Sequence, residues 1–404
     1  MQKLKLREIW TKMQQSGARE WRKYEWQRAN RVKNLEQLSE VVQLEESQKE
    51  AIRETMKETG RRISIFPEYA LLIDPKKPLE DPLGRGVIPT KEFQKVVKGE
   101  VYDPYALHKA DYNINENEGL GITHKYPHTL RFSLTDACLY GCQHCYVRNP
   151  SYKKHLVGAR PLEERLDAML AYVKASPDIY DIILTGGDPL MLSDVQIRMV
   201  LERLSEVENL KALRFCTYAV IKSPSRITEE LLGILDSFGR RFTINFTLHM
   251  IHPKEITMRT KDIVYDLLKA RIRCFSQIPL LKGINIFEDV EKSRNLLKEF
   301  LEKIISARIT PYYFVVKMAL PGTAHLTLPL EKIQEIFRPF MQHGGEVPGT
   351  ALTFKLMAAA PEQKVFIYPE TKFHYDKGKK GYMIDIGEKE VFYPYEDPEF
   401  LSQT

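Results

Sequence analysis

Apolar residues recur three or four positions apart from Leu4 to about Arg62, as at Leu35, Leu38, Val41 and Val42, and this period predicts helices interrupted at Gly60. Pro67, Pro75, Pro78, Pro82 and Pro89 then mark an extended, turn-rich connection. After Pro127 short β-branched or apolar runs alternate with helical stretches. The predicted strands are Thr129–Thr135, Tyr180–Thr185, Leu213–Tyr218, Phe242–Leu248, Arg273–Leu280 and Arg308–Val316. The predicted helices are Pro161–Ala175, Asp194–Ser205, Thr228–Phe238, Lys261–Arg271, Asp289–Ser306 and Leu330–Phe340. Beyond Gly344 short strand-like runs return, Lys364–Tyr368 and Tyr382–Ile386, separated by the charged turn Asp376 to Lys380.

Six consecutive β-then-α units imply an α/β fold with parallel strands and right-handed crossovers. Periodicity alone leaves two architectures open, a doubly wound sheet and a partial (β/α)6 barrel. In either one, chemistry belongs at the C-terminal strand ends. The first of three clustered cysteines follows the first strand by three residues, and Gly186-Gly187-Asp188-Pro189 follows the second directly. The chain therefore divides into an N-terminal helical and extended region (1–128), a partial barrel (129–345) and a small C-terminal β-rich cap (346–404).

Composition narrows the setting. No apolar run among the 404 residues reaches the roughly 18 to 20 needed to cross a bilayer, and Met1 to Lys33 is too charged for a secretory core, so a cytoplasmic protein is expected. Five cysteines, three of them within eight residues, do not resemble the dispersed framework of a secreted disulfide protein. Residues 1–33 hold ten Lys/Arg against three Asp/Glu, an excess of seven that exceeds the whole-chain net charge of +6. Trp10, Trp21, Tyr24 and Trp26 are interleaved at near-helical spacing, which argues for amphipathic helices packed on the body and against a nucleic-acid partner.

In Cys138-Leu139-Tyr140-Gly141-Cys142-Gln143-His144-Cys145 the spacing lets one loop wrap three thiolates around a single centre, with Gly141 giving the backbone freedom to do so. Structural zinc wants a fourth Cys or His, and His144 is wedged between Gln143 and Cys145. Cys216 and Cys274 lie in strand-like runs and read as small buried apolar residues. Three thiolates on a four-iron cluster leave one iron open, ready for a substrate or cofactor.

This Cys-x-x-x-Cys-x-x-Cys loop after a first strand resembles the signature of radical S-adenosylmethionine (SAM) enzymes. The resemblance implies the partial (β/α)6 barrel of that type, a [4Fe-4S] cluster on Cys138, Cys142 and Cys145, and SAM on the open iron. It implies cleavage of SAM to methionine and a 5′-deoxyadenosyl radical that abstracts hydrogen from substrate. Thr185-Gly186-Gly187-Asp188-Pro189-Leu190 is similar to the glycine-rich element that contacts the methionine amino group. More narrowly, the chain resembles the lysine 2,3-aminomutase family from about Trp26 to Pro398. The supporting strings include Leu72-Ile73-Asp74-Pro75, Gly121-Ile122-Thr123-His124, His249-Met250-Ile251-His252-Pro253, Ser276-Gln277, Leu281-Lys282-Gly283-Ile284-Asn285 and Pro311-Tyr312-Tyr313. By that resemblance His249 and Gln277 line the SAM and substrate cavity.

The family also uses pyridoxal phosphate (PLP), held as a Schiff base by a lysine in a glycine-rich loop. The counterpart here is Ala360-Pro361-Glu362-Gln363-Lys364, without glycines, so Lys364 reads either as the Schiff-base lysine or as a surface strand lysine. The family's phosphate-contacting arginine falls on Thr129, with Arg131 two residues on along the same strand face. Its carboxylate-gripping arginine falls on Val147, with Arg148 adjacent, and its two ammonium-binding aspartates fall near Met318 and Ala359. The family's cysteine-rich C-terminal segment has no counterpart, which leaves a homodimer to form through the body.

Free lysine would bury both its charges unpaired here, at a cost of several kcal/mol each. The sequence thus points to a lysine-aminomutase-like radical SAM enzyme acting on a different amino-acid-like small molecule, with or without PLP. Arg148, Lys317, Met318 and His325 are candidates for a reshaped pocket, and a flavodoxin or ferredoxin is the implied electron donor. The alternatives are a PLP-dependent 2,3-aminomutase working through Lys364, and, from another class, a non-catalytic iron-sulfur or RNA-binding protein.

Overall fold

A computed structural model describes residues 4–96, 119–148, 160–317, 320–341, 355–360 and 363–395. Its centre is one nine-stranded sheet. The strands are β1 (Ile122–Tyr126), β2 (Thr129–Thr135), β3 (Asp181–Gly186), β4 (Ala212–Thr217), β5 (Thr243–His249), β6 (Arg273–Leu280), β7 (Thr310–Val316), β8 (Lys355–Ala359) and β9 (Lys364–Phe366). They lie in sequence order, β2 through β8 parallel, with β1 and β9 antiparallel at the two edges.

That order separates the two architectures left open by periodicity. A doubly wound sheet reverses its strand order at a switch point. Here every strand pairs with the next, so successive right-handed crossovers carry the helices to one face and leave the other concave. The two edges come close together: Nζ of Lys364 on β9 is 5.8 Å from the ring centroid of Tyr126 on β1. Among the described residues no ladder joins β1 to β9, so the barrel is curled but not closed.

The helices start where capping chemistry allows. Ser193, Thr228, Thr257 and Asp289 each accept a backbone N–H at the first turn of the helices Asp194–Ser205, Glu229–Phe238, Met258–Lys269 and Val290–Ser306. Between helices and sheet lies a continuous core in which Leu130, Phe132, Leu184, Phe215, Phe246 and Leu248 are at most 1% exposed. The alternate strand positions turn to the concave side, and many are polar: Arg131, Asp181, Arg214, Asn245, Thr247 and Gln277. Parallel strands buried on both faces by packing alone read as continuous apolar runs. The alternation marks the concave face as a lumen.

The N-terminal helices belong to the body, as expected. Trp10 and Trp21 are buried, Arg7 donates to the carbonyls of Ala70 and Leu71, and Tyr24 stacks on Phe66 at 6.1 Å. Two expectations change. Lys364–Phe366, assigned to the cap, instead completes the main sheet by pairing with β8, so the sheet runs past both expected boundaries. The cap sheet itself is β10 (Phe373–Asp376), β11 (Gly381–Asp385) and β12 (Glu390–Pro394). Cys274 is buried in the core as read, but Cys216 alternates to the lumen side near Arg214. Among the described residues no helix is long and apolar enough to cross a membrane.

Phe246→Ala, on the central strand β5, is expected to cost about 3–5 kcal/mol, whereas Val195→Ala, at 75% exposure, should change stability by less than about 0.5 kcal/mol. Urea denaturation of the two variants measures the difference.

Candidate functional site

The loop that follows β2 is pinned on one side by the turn that follows β3. The Gly187 N–H donates to the Thr135 carbonyl at 2.6 Å and the Asp188 N–H donates to the Ala137 carbonyl at 3.0 Å. A Cβ on Gly187 would sit 2.1 Å from the Ala137 oxygen, and one on Gly186, whose φ is +118°, 2.2 Å from the Thr135 oxygen. Both glycines are therefore required first by contact with the cysteine loop, and Gly187 also lines the cavity beyond it. The Asp188 carboxylate accepts from the Leu190 and Tyr218 N–H groups and the Thr217 hydroxyl. It ties the end of β3 to the end of β4. Burial raises its pKa to about 6 against the pull of those donors.

The N-terminal region holds the other side. Ser64 accepts from the Gly141 N–H at 2.8 Å through its carbonyl and donates its hydroxyl to the Leu139 carbonyl at 2.6 Å. Gln143 donates its N–H to the Gly86 carbonyl and its amide to the Val87 carbonyl, while Arg61 donates to the Gln143 carbonyl at 2.6 Å. Gly141, expected to supply backbone freedom, instead permits close approach, because a Cβ there would lie 2.8 Å from the Ser64 oxygen.

So held, Cys138 and Cys145 face a cavity of about 720 Å³ and Cys142 is buried behind them. Desolvation, the Asp188 carboxylate and the other two cysteines push the Cys138 thiol well above its ordinary pKa. Three thiolates so close repel one another unless a cationic centre lies between them, and bound metal inverts that balance. Among the described residues no three His, Cys, Asp or Glu side chains converge tightly enough for a single metal ion. A four-iron cluster makes a different demand, since each cysteine takes its own iron and the sulfurs stand further apart. The donor set fits a [4Fe-4S] cluster with one iron left to SAM.

The strand ends beside the loop carry the other expected residues. His249, ending β5, stacks on Tyr218 at 5.1 Å, and Gln277 on β6 is its register partner. Burial first, then the Lys222 ammonium, lowers the His249 pKa to about 4, so its imidazole is neutral at physiological pH. The Tyr218 hydroxyl lies 3.1 Å from His144 Nε2, which ties the cysteine loop to the end of β4.

Deeper in the lumen Arg131 donates to the Tyr146 hydroxyl at 3.2 Å, linking β2 to the cysteine loop. Arg214 grips Asp181 through two nitrogens, and Thr129 donates to the same carboxylate at 2.9 Å. Lys364 lies against the rings of Tyr313 and Tyr126, at 5.0 and 5.8 Å, so it is not a surface lysine. Desolvation, with Arg214, Lys125 and Lys355 nearby, lowers its pKa to about 8. Arg214, Asp181, Tyr218 and Lys222 were not singled out from the sequence. The polar alternation on parallel strands was the signal for the first two.

The remaining pocket candidates separate. Lys317 donates to the Thr323 hydroxyl at 2.6 Å, and Thr323 lines the 720 Å³ cavity. His325 instead lines a second cavity of about 250 Å³ with Arg85 and Glu92, edge-on to Phe93. Met318 and the Arg148 side chain lie outside the described residues.

Gly187→Ala forces the loop carbonyls apart. It is expected to lower iron and sulfide per chain at least tenfold while the far-ultraviolet circular dichroism holds, because the outer core is untouched. Iron and sulfide assay after anaerobic reconstitution checks this.

Residues 132–297 match the radical SAM superfamily. The chain is 31% identical to a protein of Aquifex aeolicus (strain VF5) named "Putative L-lysine 2,3-aminomutase", over 79% of this chain and 80% of that one. It is 28% identical to the L-lysine 2,3-aminomutase of Clostridium subterminale over 80% of this chain and 73% of the relative. It is 29% identical to the glutamate 2,3-aminomutase of Clostridioides difficile (strain 630) over 78% and 70%. Radical SAM enzymes use a [4Fe-4S] cluster and SAM, and the lysine aminomutases add PLP. With its cysteine loop, its sequentially ordered parallel sheet and these relatives, the chain belongs to the lysine 2,3-aminomutase family of radical SAM enzymes.

Proposed function

We propose that this enzyme is an aminomutase-type isomerase whose substrate is an anionic, amino-acid-like molecule other than free lysine, carried on PLP at Lys364. The observation that supports it is the half-buried Lys364 amine, set against the rings of Tyr313 and Tyr126 with its pKa lowered to about 8, in a lumen walled by Arg131 and Arg214. A lysine so depressed keeps a useful fraction of free amine near neutral pH, the form that condenses with an aldehyde. The guanidinium groups offer the charge a phosphate or carboxylate needs.

When bound, the cluster and SAM supply the 5′-deoxyadenosyl radical that removes hydrogen from the substrate. The protein's own part is placement. Cys138, Cys142 and Cys145 would each hold an iron, neutral His249 and Gln277 would border the bound SAM, and Arg131 would connect the lumen to the loop through Tyr146. Free lysine fits poorly, because its distal ammonium would enter a wall of cations where Asp181 is already engaged by Arg214 and Thr129. The relative named for glutamate is a family member named for an acidic amino acid. The basic N-terminal arm gives little support to RNA binding, since Arg7 and the tryptophans are used in packing.

Borohydride trapping of PLP on the protein should label the peptide carrying Lys364, and Lys364→Met should abolish the label. Only the unprotonated amine reacts, so the initial trapping rate should rise about tenfold between pH 7 and pH 9, through a midpoint near pH 8 rather than the ordinary lysine value. In the reduced, cluster-loaded enzyme, acidic amino acids should raise 5′-deoxyadenosine formation above the level seen with lysine. Absence of any PLP adduct would move the enzyme to a PLP-free radical reaction.

A further inference from the structure

Lys222 ends the one-turn helix Ala219–Lys222 that leaves the C-terminal end of β4, and it is 2% exposed. Its Nζ donates to the Cys142 sulfur at 3.1 Å and lies over the rings of Tyr69 and Tyr218, at 4.9 and 4.6 Å. The acid in its field is Glu255, fully buried. The Glu255 carboxylate accepts from the Tyr69 hydroxyl at 2.7 Å and from the N–H groups of Ile251 and His252 at 2.6 and 3.2 Å. A buried ammonium is costly unless negative charge meets it. Two ring faces and a neutral thiol compensate it weakly, whereas a cluster thiolate compensates it well.

We infer that Lys222 is a positioning residue for the cluster: by fixing a positive charge and an N–H···S hydrogen bond on Cys142 it raises the cluster's reduction potential, and Glu255 opposes it. This rests on the reading of Cys142 as a cluster ligand. Hydrogen bonds to the sulfurs and the net charge of the surroundings are the levers that set such potentials. Reduction adds one electron to the cluster, taken from a donor such as dithionite that is oxidised in turn, and no bond forms or breaks. The site becomes one unit more negative, and an adjacent cation stabilises that state.

The test is a redox titration of the full, anaerobically reconstituted chain, followed by electron paramagnetic resonance, for wild type, K222M, K222R and E255Q. In K222M the ratio of reduced to oxidised cluster at a fixed potential should fall about tenfold, a shift of about 59 mV for a one-electron couple. K222R should restore most of it, and E255Q should move the midpoint the other way. A K222M cluster with the wild-type midpoint overturns the inference. If K222M fails to assemble a cluster, E255Q decides: an upward shift supports the role and an unchanged midpoint refutes it. A wild-type chain that assembles no four-iron cluster removes both the ligand reading and this inference, and its spectrum tells that failure from an unmoved potential.

Discussion

The backbone of the loop from Asp136 to Tyr146 belongs to no strand, and its polar groups are satisfied by parts of the chain remote in sequence. Gly187 and Asp188 close on it from β3, while Ser64, Gly86, Val87 and Arg61 close on it from the N-terminal region. Each buried donor or acceptor left unpaired there would cost about 1–3 kcal/mol. The geometry of three thiols thus depends on contacts that none of the cysteines makes. The N-terminal extension is accordingly a structural wall of the site, which is why Trp10 and Trp21 are buried and its basic residues are partly spent on carbonyls.

Charge is distributed with similar economy. The outer face of the sheet is apolar and supplies the cohesion, while the lumen face accepts Arg131, Arg214 and Lys364, with Asp181 holding Arg214 closely. An inner wall of that kind contributes little to folding, because each cation gives up solvation for partial pairing. Its retention makes sense where an anionic ligand completes the balance. Lys222 follows the same logic beneath the loop, balanced between Cys142 and Glu255.

Much of this was legible in the sequence, and the parts that were not have physical reasons. Strands β2 to β7 fall within two residues of their predicted limits, because β-branched alternation and flanking turn residues carry a strong local signal. β1, with the sequence Ile-Thr-His-Lys-Tyr, lacks that signal, being an edge strand with a polar face. β8 is a short apolar run that periodicity does not assign. Lys364 looked like a surface residue since a three-residue edge strand does not say which side closes over a lumen. Lys222 ends an apolar one-turn helix, where a lysine ordinarily reaches solvent, and only the tertiary fold turns it inward. His325 was grouped with the site by its residue type and its place after β7, but it lines the smaller cavity, and Phe93, edge-on to it, lines both.

The clamps also explain how a family member can keep its radical chemistry while its substrate grip changes. Many contacts on the cysteine loop run through backbone atoms and glycines, and side chains such as Ser64, Gln143, Arg61, Tyr218 and Lys222 add to them. The lumen, in contrast, is written entirely in side chains on alternate strand positions, where a substitution changes charge without shifting a ladder. Val147 can therefore stand where a carboxylate clamp is expected while Cys138, Cys142 and Cys145 keep their frame. Arg131, bonded to Tyr146 one residue past the last cysteine, is one point where the two systems touch, and Tyr218, between His144 and His249, is another. A change of substrate that altered the lumen charge would be felt at the cysteine loop through the hydrogen bond to Tyr146, so a substitution at Arg131 acts on both systems at once.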